Sequence, residues 1–159
     1  MDLHPLLEPI RFLVGSWHGT GRGEYPTIES FGYREDVSFL PGPGKPFLFY
    51  TQRTRSETDA PLHSEAGYLR MTPHGPELVI AQPTGLVEVH GGELTGTTLV
   101  FASTTMAATE TAKAVEQVVR RITGAGETLS YTLDMAYAGL PLTVHLAATL
   151  YRSRKPGLR

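Results

Sequence analysis

Cysteine is absent from the 159 residues. That excludes disulfides, thiolate nucleophiles and cysteine-ligated zinc or iron–sulfur centres. Positive charge is not in excess either: 14 Lys and Arg stand against 16 Asp and Glu, a formal net charge of −2. No basic stripe is present, so nucleic acid is not an expected partner. Long apolar runs are missing as well. No stretch approaches the roughly 18 to 20 apolar residues that a membrane-spanning helix needs. The opening MDLHPLLEPIRFLVG has no basic n-region, and Asp2, Glu8 and Arg11 interrupt its apolar residues, so it does not read as a signal peptide. These absences predict a soluble, cytoplasmic protein with no membrane partner, of single-domain length.

Helix signal is the next scarcity. Pro5 suits a first helical turn, and Leu6, Leu7, Ile10 and Leu13 recur at helical spacing, but Pro9 limits that helix to a turn or two. Thr109 to Glu116, TETAKAVE, is a weaker helix candidate that also reads as a loop entering a strand. What remains is short alternating segments between turn residues. In IESFGYREDVSF, Phe31, Tyr33, Val37 and Phe39 share one parity, while Ser30, Arg34, Asp36 and Ser38 share the other. About ten such strands follow one another, which predicts an all-β antiparallel meander closing as a barrel or sandwich. About eight strands already leave room for a small ligand, so a ten-stranded barrel is expected to hold a cavity. No linker divides the chain. Residues 1–155 read as one domain and 156–159 as a flexible tail.

The stretch GSWHGTGRGEYP, Gly15 to Pro26, is poor in side chains around Trp17, the single tryptophan. If the odd positions face inward, Trp17 plugs the barrel base. Gly19, Gly21 and Gly23 above it then either leave space or let a coiled strand turn a corner. A nucleotide loop is excluded, because the G-x-G-x-x-G spacing is not met and Tyr25-Pro26 follows where a helix should open.

Among the six histidines, His4, His74 and His90 are expected on the solvated surface. His18 opposes Trp17 in parity and points outward, and His63 has Glu65 as a neighbouring partner. His145 lies in the final strand with Thr143, Ala147 and Thr149 on its face, and Ala147 keeps that face thin. Leu142, Val144, Leu146 and Leu150 occupy the other face, and the residues alone leave open which of the two points inward.

GSWHGTGRGEYPTI fits a G-x-W-x-G-x-G signature carried by Gly15, Trp17, Gly19 and Gly21. Together with GKPFLFYTQRTR (44–55), PLHSEAGYLR (61–70), ELVIAQPTGLVEV (77–89), TAKAVEQVVR (111–120) and GLPLTVHLAATLYR (139–152), it resembles the nitrobindins over essentially the whole chain. The resemblance implies a ten-stranded antiparallel up-and-down β-barrel of the lipocalin and fatty-acid-binding-protein kind, with a short N-terminal helix. It implies one ferric haem b per chain, ligated by His145, with Lys113 near the propionates and Thr27 and Ile28 toward the distal side. It further implies nitric oxide binding and isomerisation of peroxynitrite to nitrate, with the chemistry belonging to the cofactor and no protein acid or base required. Self-association to a homodimer occurs in some members. In some relatives a histidine in the loop before GKPF reaches the distal side. Here that loop reads FLPGPGKPF, so a distal donor must come from elsewhere.

A metal-free carrier of a hydrophobic molecule such as a fatty acid is the competing reading. It requires an interior basic residue to meet a carboxylate, and Arg53, Arg55, Arg70, Arg120 and Arg121 are the candidates. A non-haem metal hydrolase lacks H-x-x-x-H or H-E-x-x-H pairs, and a serine hydrolase lacks G-x-S-x-G.

Overall fold

The computed structural model describes residues 3–153, so the expected tail at 156–159 lies outside the described residues. The N-terminal helix is a 3-10 helix, Pro5–Leu13, with non-helical torsions at Ile10 (φ −112°, ψ 16°), directly after Pro9. The His4 ring accepts the Leu6 N–H at its start. One face of it, Leu7, Ile10 and Leu13, is fully buried against the barrel.

Ten strands follow: β1 (Gly15–Tyr25), β2 (Ile28–Pro41), β3 (Phe47–Ser56), β4 (Pro61–Thr72), β5 (Gly75–Ala81), β6 (Leu86–Thr95), β7 (Thr98–Ala108), β8 (Val115–Ala125), β9 (Thr128–Tyr137) and β10 (Thr143–Arg152). Each pairs antiparallel with the next, and β10 returns to β1 with Trp17 opposite Arg152, so the sheet closes as a barrel. TETAKAVE is the loop entering β8, not a helix.

The lower half of the barrel holds most of the apolar core. Trp17 is 1% exposed and donates its indole N–H to the Leu13 carbonyl at 2.8 Å. The Arg152 guanidinium stacks on its ring at 4.1 Å and donates to the carbonyls of Val14 and Phe12. Helix, first strand and last strand are thus tied at one point.

The glycines of β1 allow close approach, and the space they leave does not stay open. Gly19 lies so close to the Thr149 carbonyl of β10 that a Cβ would collide with backbone. Gly21 and Gly23 lie beneath the rings of Tyr33 and Phe31, so their space is filled by aromatics of β2.

On β2, Tyr33, Val37 and Phe39 are buried as their parity predicts. Glu35 shares that parity and is also buried. No helix among the described residues is long and apolar enough to cross a membrane.

Candidate functional site

The upper half of the barrel holds a cavity of about 660 Å³, reaching from a mouth at Tyr25, Thr27, Ile28, Lys113, Tyr137 and His145 down to Gln52, Glu65, Glu88 and Arg120. Its size falls within the roughly 300 to 1,000 Å³ of ligand pockets. The four residues anticipated from sequence, His145, Lys113, Thr27 and Ile28, all line it, although they come from β10, the loop before β8 and the β1–β2 turn.

A backbone irregularity brings His145 there. The register of β10 against β9 shifts between Val144 and Leu146, and that of β1 against β2 shifts between Gly23 and Tyr25. A bulge places consecutive residues on the same side of a strand. Both His145 and Leu146 therefore line the cavity, while Ala148 and Leu150 are buried below them. This corrects the face assignment made by simple alternation: Ala147 is exposed on the outside and does not thin the histidine's face. The apolar residues below the bulge and the histidine above it both face inward.

The β1–β10 ladder ends at Gly23 opposite Leu146. Beyond it the Glu24 carbonyl accepts from His145 Nδ1 at 3.0 Å. A carbonyl only accepts, so Nδ1 carries a proton, and in the neutral ring the lone pair is on Nε2. The Tyr25 ring stands edge-on to the imidazole, with centroids 5.6 Å apart and planes at 80°. Tyr25 is itself held by β9: its hydroxyl donates to the Met135 carbonyl at 3.0 Å and accepts the Tyr137 N–H at 3.0 Å. Lys113 Nζ lies 6.0 Å from the centre of the Tyr137 ring, at the exposed rim.

The cavity floor is a charged network. Arg120 of β8 reaches across the barrel to Glu65 of β4 and Glu88 of β6. Its Nη1 donates to Glu65 Oε1 at 2.6 Å and its Nη2 to Glu88 Oε2 at 2.9 Å. Tyr50 and His63 complete Glu65, and Gln82 and His90 complete Glu88. Burial alone would raise both carboxyls, but the Arg120 guanidinium and these hydrogen bonds hold Glu65 and Glu88 below the usual carboxylate range. The same two carboxylates overcome the burial of Arg120 and keep it charged.

His63 is half-buried, lines the cavity and pairs with Glu65 at 3.3 Å, the neighbour expected for it. His90 corrects its expected surface placement: it is 1% exposed, and its Nε2 lies 2.7 Å from Glu88. Sequence reasoning missed Glu35, Glu65 and Glu88 as interior groups. The available signal was an acid on the apolar parity of each strand: Glu35 between Tyr33 and Val37, Glu65 two before Gly67 and four before Leu69, Glu88 two after Leu86.

These features define a class, a closed antiparallel barrel with a ligand cavity and a single tautomer-fixed histidine at its mouth. The family is narrower. A model of the THAP4-like, heme-binding beta-barrel domain matches residues 6–152, and the chain belongs to that family. Among its relatives is a peroxynitrite isomerase of Nocardia farcinica, 47% identical over 156 residues that cover 94% of this chain and 92% of that one. Another is peroxynitrite isomerase 2 of Mycobacterium marinum, 46% identical over 157 residues, covering 95% and 97%. The crystal structure of Rv2717c from M. tuberculosis superposes with a TM-score of 0.86 at 44% identity, covering 96% of this chain and all of that one. The resemblance to nitrobindins and the ten-stranded barrel are thereby established.

Proposed function

We propose that this chain binds one haem b through His145 and isomerises peroxynitrite to nitrate. The observation that carries the reading is the Glu24 carbonyl on His145 Nδ1, which fixes the ring and leaves Nε2 as the only coordinating nitrogen of a residue that lines the cavity. A neutral imidazole with an oriented second nitrogen is the donor that haem iron takes in globins and peroxidases. The names of the two relatives support the reaction.

Ferric haem, when bound, would supply a Lewis-acidic iron and its redox chemistry. Peroxynitrite and nitrate have the same atoms and charge, so the reaction needs no net proton or electron from the chain. The chain's part is placement. Tyr25 and Glu24 hold the ligand ring. Lys113 offers an ammonium at the rim to a propionate, an exposed pairing worth about 0 to 1 kcal/mol. Ile28 and Thr27 border the entrance. The distal donor missing from FLPGPGKPF has candidates in His63 and Gln82, both on the cavity wall. Nitric oxide is the natural second ligand of such iron, and scavenging or sensing of reactive nitrogen species in the cytoplasm is the role that follows.

Hemin added to the purified chain should give a Soret band and accelerate conversion of peroxynitrite to nitrate. His145→Ala should lose or strongly shift that band and lose the acceleration. A wild-type chain that gives no Soret band ends the reading.

The carrier alternative loses its central requirement. Of the five arginines, only Arg120 is interior, and two carboxylates already occupy its donors. A fatty-acid head group would therefore have to displace carboxylates that already hold the guanidinium.

A homodimer belongs to the same proposal, and the outer face of β2 to β6 supports it. Leu40, Phe49, Tyr68, Val79 and Val89 stand opposite one another in register across five strands, and Phe49 and Tyr68 are more than two-fifths exposed. The Arg70–Glu77 pair lies along one side of this row, so a second copy turned by a two-fold axis meets both signs of charge. Sedimentation should find dimers for the wild type and monomers for Phe49→Arg; a wild type that is monomeric at high concentration removes this part.

A further inference from the structure

One buried acid takes no part in any of this. Glu35 is 3% exposed and does not line the main cavity. It borders a small chamber of about 30 Å³ beneath the floor, which it shares with Gln52, Arg120 and Tyr131. Its Oε1 accepts from Gln52 at 2.5 Å and its Oε2 from the Tyr131 hydroxyl at 2.6 Å. The Tyr131 oxygen lies 2.8 Å from that of Tyr33, and Tyr33 lines the main cavity, with its hydroxyl lying across Gly21. Three oxygens thus form an unbroken chain from a buried carboxyl to the wall of the ligand cavity.

We propose that Glu35, Tyr131 and Tyr33 are a proton relay that makes Tyr33 the cavity's proton donor toward a small bound oxyanion. Each phenol has one proton, so the chain has two consistent directions. With Glu35 ionised, Tyr33 donates to Tyr131, Tyr131 donates to Glu35, and the Tyr33 proton is turned away from the cavity. With Glu35 protonated, every bond reverses, and the Tyr33 proton is free for a ligand. Transfer moves the carboxyl proton to the Tyr131 oxygen, the Tyr131 proton to the Tyr33 oxygen and the Tyr33 proton to the anion. Glu35 ends as a carboxylate, the anion as its conjugate acid, and both phenols as they began. No electrons move. When the ligand leaves as an anion, the proton returns.

Burial pushes the Glu35 carboxyl up to about 7 against the opposing hydrogen bonds of Tyr131 and Gln52, so both directions are populated near neutral pH. The titratable and charged groups around it are Tyr33 on its own strand, Tyr50 on β3, Glu65 on β4, Arg120 on β8 and Tyr131 on β9. Glu65 raises Glu35 and Arg120 lowers it. None of these touches the proposed iron ligand, so the relay stands or falls without the haem.

The test is infrared spectroscopy of the full chain with no cofactor added. At about pH 6 the wild type should show the carbonyl stretch of a protonated carboxyl that titrates away near neutrality and is missing from Glu35→Gln. After mixing into heavy water, its deuterium shift reports proton access. Tyr33→Phe keeps the ring over Gly21 and removes only the hydroxyl. It should slow that exchange about tenfold or more, the factor of ~1.4 kcal/mol of added barrier. Tyr131→Phe, which cuts the chain in the middle, should do the same. A carboxyl that is ionised throughout, or one that exchanges equally fast in both phenylalanine variants, overturns the relay.

Discussion

At the scale of single residues, the interior carboxyls of this barrel respond to acid in opposite ways. The folded state holds Glu65 and Glu88 below their ordinary value of 4.5, because Arg120 outweighs their burial. Their contribution is present above that value and is lost as pH falls through the folded-state value. Glu35 has the reverse sign. Its folded value of about 7 lies above 4.5, so the native state holds a proton that the unfolded chain has released. Its contribution is complete below about 4.5 and disappears as pH rises toward 7, a change of about 3 kcal/mol for a shift of this size. Urea midpoints of the wild type should therefore decline between about pH 4.5 and 7. Glu35→Gln, which keeps a neutral hydrogen-bonding group there, should remove most of that decline. Equal slopes for the two proteins would contradict the assignment.

At the scale of elements, β1 and β10 show what alternation tells and where it stops. The inward parity of β2, with Tyr33, Val37 and Phe39, is legible because aromatic and branched residues recur at every second position. The placement of Trp17 has a different basis: it is a large aromatic in a strand whose other residues of that parity are mostly glycine. The position of His145 is not legible from parity. One extra residue at the bulge inverts the alternation above it, and no proline or glycine marks the place. Interior charge is hidden too, because Glu35, Glu65 and Glu88 find partners only on strands distant in sequence. The glycines of β1 give a graded test. Gly21→Ala meets the Tyr33 ring, a side chain that can shift, whereas Gly19→Ala meets the β10 backbone at Thr149. Both should destabilise, Gly21→Ala by about 1 to 3 kcal/mol and Gly19→Ala by more. Denaturant midpoints that rank the two in the other order would refute this account of the strand.

At the scale of the whole molecule, the barrel has a lower half that holds most of the apolar core and a hollow upper half, with the Arg120 network between them. A ligand held in the upper half binds the folded chain alone and should stabilise it by mass action, by about 2.7 kcal/mol at a hundredfold excess over Kd. Hemin should accordingly raise the melting temperature of the wild type and leave that of His145→Ala nearly unchanged; equal shifts would place the hemin elsewhere.

The last strand closes this barrel, and it carries both the mouth histidine and the arginine that stacks on Trp17. Until β10 has left the ribosome, β1 has no partner on its outer edge and the mouth lacks its imidazole. A ligand that needs both the closed wall and the imidazole has to wait for that strand. A nascent chain that still lacks β10 is an open sheet with two sticky borders, dependent on chaperones until that strand arrives.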